Sequence, residues 1–280
     1  AMWLPFSIPV WIHIDVRWLT VGILFLVFCI YLWRTDIFTK HELPIFFGVL
    51  MLFYSLFMDR NSGLLPYSEE GLVILYYVLL VMTLMSRKAW LIGLIAGLCM
   101  LSRYSLVGWL PAMAFYFVYT KEWKGLARFT ISGLACFILL MILPFGWRTF
   151  HSLLAIPGSY ISFSERIWHD TPHFFNESPG LARFFGVKHI ALQHYLLIIL
   201  SFTVPVICMI IALRLHKKYE IPVQNIPLAV LKITLVIFYS LVDVPYLYLF
   251  YTSSFVSRMV LSQFLCATIV LKKEDHAGYN

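Results

Sequence analysis

Apolar residues in this chain come in blocks long enough to cross a bilayer, with short polar connectors between them. In helical form a crossing takes about 20 residues. Blocks at roughly 18–33, 43–58, 71–85, 89–102, 104–120, 129–146, 190–213, 226–242 and 256–271 therefore predict nine spans. The expected fold is all-α: a polytopic transmembrane helical bundle of about nine spans, one transmembrane domain over 1–280, with a long non-cytoplasmic loop at 147–189. Several blocks hold only 14 to 17 residues, short for an upright span, which points to tilt or to a cavity wall. Composition agrees: 61% of residues are hydrophobic and 12% charged, about half the ~25% charged share of a soluble domain.

The net charge of +7 invites a nucleic-acid reading. The basic residues do not gather into one patch, however; they sit in short clusters between apolar blocks, as membrane topology requires. Bilayer lipids, and no nucleic acid, are the expected surroundings. Five cysteines all fall inside apolar blocks without a CxxC spacing, so buried thiols are expected and a metal cluster is not.

Connectors 34–42, 86–88, 121–128, 214–225 and 272–280 carry 12 of the 21 Lys and Arg residues in 41 positions. The alternate set, 1–17, 59–70, 103, 147–189 and 243–258, carries 8 in 89. The denser set is expected in the cytoplasm, with the C-terminus, and the N-terminus outside. Lys232 lies a turn or two inside span eight and can snorkel to the inner face. Residues 1–17 lack the basic n-region and small-residue cleavage site of a signal peptide, so at least one further span is expected upstream of residue 1. The membrane would be the inner membrane of a bacterium or the endoplasmic reticulum of a eukaryote.

The outer connectors hold eight of the 14 acids and hold or border six of the nine histidines. The inner ones read as bare linkers. Asp59 begins a stretch that ends at Glu69 and Glu70, just ahead of span three. A carboxylate there either stabilises a helix start or serves as base, metal ligand or sugar-hydroxyl acceptor. Arg103 and Tyr104 sit where two spans meet with almost no loop. Arginine there either anchors the hairpin at the interface or grips a lipid-linked phosphate bidentately. Arg258 is the third residue of the last span, where an ionisable group needs a partner such as Asp243 or a ligand phosphate. The long loop offers Arg148, Arg166, His169, Asp170 and His173. Pro172 argues against a helical metal face there, whereas aromatic and polar groups together suit a sugar. P-loop, GxGxxG, GxSxG and HExxH patterns are all missing.

The run Ser68-Glu69-Glu70-Gly71-Leu72, the basic turn Ser86-Arg87-Lys88, the hairpin Gly97-Leu98-Cys99-Met100-Leu101-Ser102-Arg103-Tyr104, Leu110-Pro111 and the exit Lys121-Glu122-Trp123-Lys124-Gly125 together resemble the middle of the GT-C superfamily of membrane glycosyltransferases. These are the polyprenyl-phosphate-sugar users related to aminoarabinose and mannosyl transferases. The resemblance covers about residues 60–125 by motif and the rest by layout. It implies transfer of a sugar from an isoprenoid-phosphate donor, with inversion, on the outer side of the membrane. By carry-over Glu69 is the pre-span glutamate that would hold substrate or metal; Glu69 and Asp59 are the candidate catalytic acids within this sequence, the family's key aspartate being expected upstream. Arg103 and Arg258 would bind donor phosphate by the same carry-over, while Tyr104, Arg148, Arg166, His169 and Asp170 are candidates to line the substrate by their residue types and positions alone. No metal ligand set is assigned; a divalent metal is the cofactor the family's acid would admit. The chain departs from the pattern in three places. The first span and acidic outer loop are missing before His13-Ile14-Asp15, Met259 stands where an aromatic is common, and a later proline is absent. The alternative is a non-enzymatic polytopic protein, a transporter or channel subunit.

Overall fold

The computed structural model describes residues 4–13, 15, 18–19, 22–23, 26, 70–102, 104–148, 150–151, 162, 166, 181–185, 187–219 and 222–241. Two compact units divide the chain. One is Met82–Ser254 with Ala1; the other is Met2–Val81 with Phe255–Asn280. Among the described residues every regular element is helical and none is a strand.

The helices are α1 (Leu4–Trp11), α2 (Glu70–Ser86), α3 (Ala89–Ser102), α4 (Trp109–Tyr119), α5 (Trp123–Phe137), α6 (Ile190–Leu215) and α7 (Ile226–Leu241). A 3-10 turn, Tyr104–Leu106, joins α3 to α4. A π turn over Ile138–Ile142 and a last α-helical turn over Leu143–Phe145 extend α5 into one helix of 23 residues, Trp123–Phe145. That helix and α6, with 26 residues, are long and apolar enough to cross a membrane. The apolar helices α3, α4 and α7 are shorter. The 14 residues of α3 rise about 21 Å, well under the ~30 Å of a bilayer core.

The expected spans at 71–85, 89–102, 190–213 and 226–242 coincide with helices to within two residues at each end, and 104–120 is covered by the 3-10 turn Tyr104–Leu106 followed by α4. The sixth differs. Hydropathy puts its start at 129, yet α5 begins at Trp123, because Lys124 and Arg128 lie one helical turn apart on an exposed face while Phe129 is buried. Charged residues at this spacing solvate one side of a helix without ending it. Connector 121–128 is thus mostly helix. Most of the first span, and all of the second and ninth, lie outside the described residues, as does most of loop 147–189.

Small residues set the packing in the unit Met82–Ser254. Gly93 of α3 faces Phe129 and Ser132 of α5, and Gly97 faces Gly133 and Cys136. Both series ascend together, so α3 and α5 run parallel. A Cβ on Gly93 would stand 2.1 Å from the Phe129 carbonyl oxygen; only glycine admits this approach, the usual device where helices cannot rely on a hydrophobic effect to associate. Between them α4 returns antiparallel. Gly108, just ahead of α4, abuts Ser201 of α6, and the Tyr119 hydroxyl donates to the Leu213 carbonyl at 3.0 Å, so α4 and α6 are parallel. Gln193, in the first turn of α6, donates its amide N–H to the carbonyl of Leu241 at the end of α7, which makes that pair antiparallel.

Trp109 is the centre of this group. It is fully buried, and its indole N–H donates to the Pro227 carbonyl at 3.0 Å, satisfying the one polar atom that burial would otherwise leave unpaired. Leu106 and Met113 on the same stretch of chain, and Ile226, Leu231 and Leu235 of α7, are also buried.

Candidate functional site

The helix directions sort the polar residues of this unit into two ends. At one end lie the start of α3, the end of α4, the start of α5 and the end of α6. Arg87, Lys88, Lys121, Lys124, Arg128, Arg214, Lys217 and Lys218 belong there. Toward the other end lie the α3–α4 hairpin with Tyr104, level with Ser201 in the middle of α6, and farther out the start of α6 with Lys188, while Arg148 comes soon after the helix Trp123–Phe145. Connectors 86–88, 121–128 and 214–225, assigned to one side on charge density, are thus at one end of the bundle in three dimensions.

The hairpin end is built tightly. Ser102 closes α3 by donating its hydroxyl to the Cys99 carbonyl at 2.7 Å, and the Val107 N–H bonds back to the Tyr104 carbonyl at 3.0 Å. Ser105 and Leu106 are fully buried, while Tyr104 is 42% exposed. The hairpin thus offers a phenol at its tip over a packed base. After Leu143–Phe145 the backbone turns at Gly146, whose φ of 73° is a left-handed value glycine takes without strain. Phe150 then meets the rings of Phe137 and Trp147, each at 6.2 Å between centroids. Arg148 lies in this turn and is exposed. Of the expected site residues, Tyr104 and Arg148 come to the same end of the unit. Arg166 is helical and exposed. Glu69, Asp59, Arg103, Arg258, His169 and Asp170 lie outside the described residues. Among the described residues no group of three His, Cys, Asp or Glu side chains is arranged to hold a metal ion.

The opposite end holds a cavity of about 710 Å³. It is bounded by the basic turn before α3 and the basic turn between α4 and α5. Arg87, Lys88, Lys121, Lys124 and Arg128 contribute five positive charges and Glu122 one negative, with Trp90 and Trp123 in the wall. Both turns depend on a cation in left-handed backbone: Arg87 has φ 55° and Lys121 φ 59°. At the second, the Glu122 N–H reaches the Phe117 carbonyl at 2.9 Å and the Lys121 N–H reaches Val118 at 3.1 Å, the paired bonds that end a helix on a left-handed residue.

Charge density along the sequence marks these cations as topology signals on bare linkers and does not join them into a site. One signal was available. Each turn sets a cation two or three residues ahead of a tryptophan, Arg87-Lys88-Ala89-Trp90 and Lys121-Glu122-Trp123. Their meeting depends on the parallel pairing of α3 and α5 through Gly93 and Gly97. Comparison with known proteins adds no name to either end: no family model, no curated protein and no solved structure matches this chain.

Proposed function

We propose that this chain is a multi-pass membrane glycosyltransferase that moves a sugar from an isoprenoid-phosphate donor to an acceptor at the non-cytoplasmic face. The membrane part of this reading is supported by the surface of the long helices. In the apolar windows of Trp123–Phe145 and of α6 only 17% and 28% of residues are buried. Ile131, Leu134, Leu139, Leu143, Ile199, Ile207 and Ile211 stand more than half exposed or close to it. A core helix of a soluble protein would bury such a set, and water would not tolerate it bare; lipid chains cover it at no cost. The remaining spans of a nine-span bundle belong to the same proposal.

The glycosyl-transfer part rests on one observation, the order of residues through Ser68–Gly125: a glutamate before a span, a basic turn, a Leu-Ser-Arg-Tyr hairpin, a Leu-Pro and a basic-Trp-basic exit. Geometry is compatible with it. The hairpin tip carries Tyr104 exposed beside the chain position of Arg103, and Arg148 falls at the same end, away from the eight clustered cations. In this reading that end faces the non-cytoplasmic side, Arg103 and Arg258 hold the donor phosphate, Glu69 and Asp59 supply the acid, and Tyr104, Arg148, Arg166, His169 and Asp170 meet the sugar and acceptor.

The test is donor binding by the purified chain in lipid discs, using a polyprenyl-phosphate sugar. Arg103→Ala and Arg258→Ala should each abolish binding while the melting transition stays in place. Undiminished binding in both variants discards the assigned roles, and passage of a solute through reconstituted vesicles would support a transporter instead.

A further inference from the structure

The cavity at the basic end of the unit is more than a by-product of topology. A rule that only places cations on one side of a membrane is satisfied by separate, splayed side chains. Here two turns 34 residues apart in numbering, at Arg87 and Lys121, bring five cations round one space against a single carboxylate. Like charges so gathered repel, and the arrangement is relieved by an anion in their midst. The backbone adds to the same field. Because α3 and α5 are parallel, both present their N-terminal turns to the cavity, where Ala89, Trp90, Trp123, Lys124 and Gly125 line it. Helix starts carry unsatisfied N–H groups and the positive end of the dipole. At α5 the N-cap residue, Glu122, makes no side-chain cap hydrogen bond.

Two further features narrow the ligand. Arg87 and Lys121 both occupy left-handed backbone that costs an L-residue energy and that glycine would take freely. Trp90 is 49% and Trp123 61% exposed. Half-exposed indoles beside cations are what the headgroup depth of a bilayer favours. An anion with several oxygens is needed to use two guanidinium forks, three ammonium groups and two helix starts together; a carboxylate, with two, cannot.

We propose that this cavity binds a phosphate ester, either the headgroup phosphate of an acidic lipid or a soluble phosphate monoester, held by Arg87, Lys88, Lys124, Arg128 and the N–H groups that open α3 and α5. The site is separate from the sugar-donor phosphate site of the proposed transferase and independent of it: α3 alone puts about 21 Å between this cavity and Ser102 at the hairpin end.

The experiment uses the full chain. In neutral detergent it is titrated with glycerol 3-phosphate, and in phosphatidylcholine discs it is compared with and without phosphatidic acid. Amide hydrogen exchange is read at 87–90 and 121–128. The expected result is slowed exchange at both segments, weakening as salt is raised. Protection by both ligands indicates a general phosphate site, and protection by phosphatidic acid alone indicates a lipid site; each supports the proposal. Lys124→Gln combined with Arg128→Gln should weaken binding by about tenfold or more. Lys217→Gln with Lys218→Gln, at the same end but outside the cavity, should change it by less than about twofold. Absence of protection with either ligand overturns the proposal, and so does equal weakening by the two pairs, which would mean unspecific attraction. Should the first pair not fold, the protection pattern of the unaltered chain decides by itself.

Discussion

Gly108 lies against Ser201 so closely that a Cβ on the glycine would stand 1.5 Å from the serine's carbonyl oxygen. The oxygen is available because Pro205, four residues on within α6, has no N–H to offer it. The glycine leaves a Cα hydrogen facing an acceptor that its own helix cannot satisfy. A proline in one helix and a glycine ahead of another therefore make a single feature, a close backbone approach where the chain enters α4 against α6.

Gly108→Ala should cost about 3 kcal/mol or more, the upper range for overpacking, because backbone cannot move aside as a flexible side chain would. Thermal unfolding in detergent reads this directly. A loss below about 0.5 kcal/mol, the scale of an ordinary surface change, would refute the contact.

The α3–α5 seam should show graded sensitivity. A Cβ meets backbone oxygen at 2.1 Å from Gly93, a Cys136 side-chain atom at 3.0 Å from Gly97, and a backbone oxygen at 3.3 Å from Gly133. Alanine should therefore destabilise most at Gly93, less at Gly97 and least at Gly133, as measured by melting temperature. The reverse order would mean that the helices do not pair in this register.

Trp109→Phe removes the donor to Pro227 and shrinks a fully buried ring. The unmet carbonyl and the small void should together cost about 2 kcal/mol, read as a lowered melting temperature. Pro227 would also regain solvent access, which hydrogen exchange at 226–231 would detect as faster opening of α7.

Lys121→Gly relieves left-handed backbone at φ 59°. Stability should rise by about 1 kcal/mol, although one cation leaves the cavity. A fall in stability on this change would show that the lysine side chain contributes more than its backbone conformation costs.

The helix directions sort the cations to two ends of the unit, and the proposed topology puts those ends on opposite sides of a membrane. In a chain relieved of its native thiols, cysteines placed at Lys124 and Lys217 should react with an impermeant maleimide from one side of sealed vesicles. Those at Arg148 and Lys188 should react from the other. Labelling of Lys124 and Arg148 from the same side would break both the topology and the proposed sugar transfer.

Legibility in the sequence tracked the range of the forces involved. The helices at 89–102 and 226–241 could be read closely because hydropathy is a local property, and Lys88, Arg103 and Asp243 mark its edges. The start of α5 was misplaced because Lys124 and Arg128 look like a connector to any reading that averages over neighbours, whereas a helix distinguishes its faces. The pairing of Gly93 with Phe129, or Gly108 with Ser201, was out of reach: a glycine shows that something comes close, never what. The G-x-x-x-G spacing of Gly93 and Gly97 was nonetheless a visible invitation to look for a partner helix. For the same reason Arg87 and Arg128 were each legible as basic, while their common cavity was not. On the hairpin side Tyr104 and Arg148 are legible as types and positions, and what brings them to one end is the parallel run of α3 and α5.

The π turn at Ile138–Ile142 closes with the Leu143 N–H on the Ile138 carbonyl, five residues back. Such a turn is equivalent to one extra residue slipped into a regular helix, so the residues past it are rotated by about 100° relative to those before it. The stripe that carries Phe129, Gly133 and Cys136 toward α3 is therefore interrupted beyond Met141. Leu143 and Phe145 are exposed, and they lie past the level at which α3 ends at Ser102, so the final turn of the long rod stands clear of its shorter neighbour.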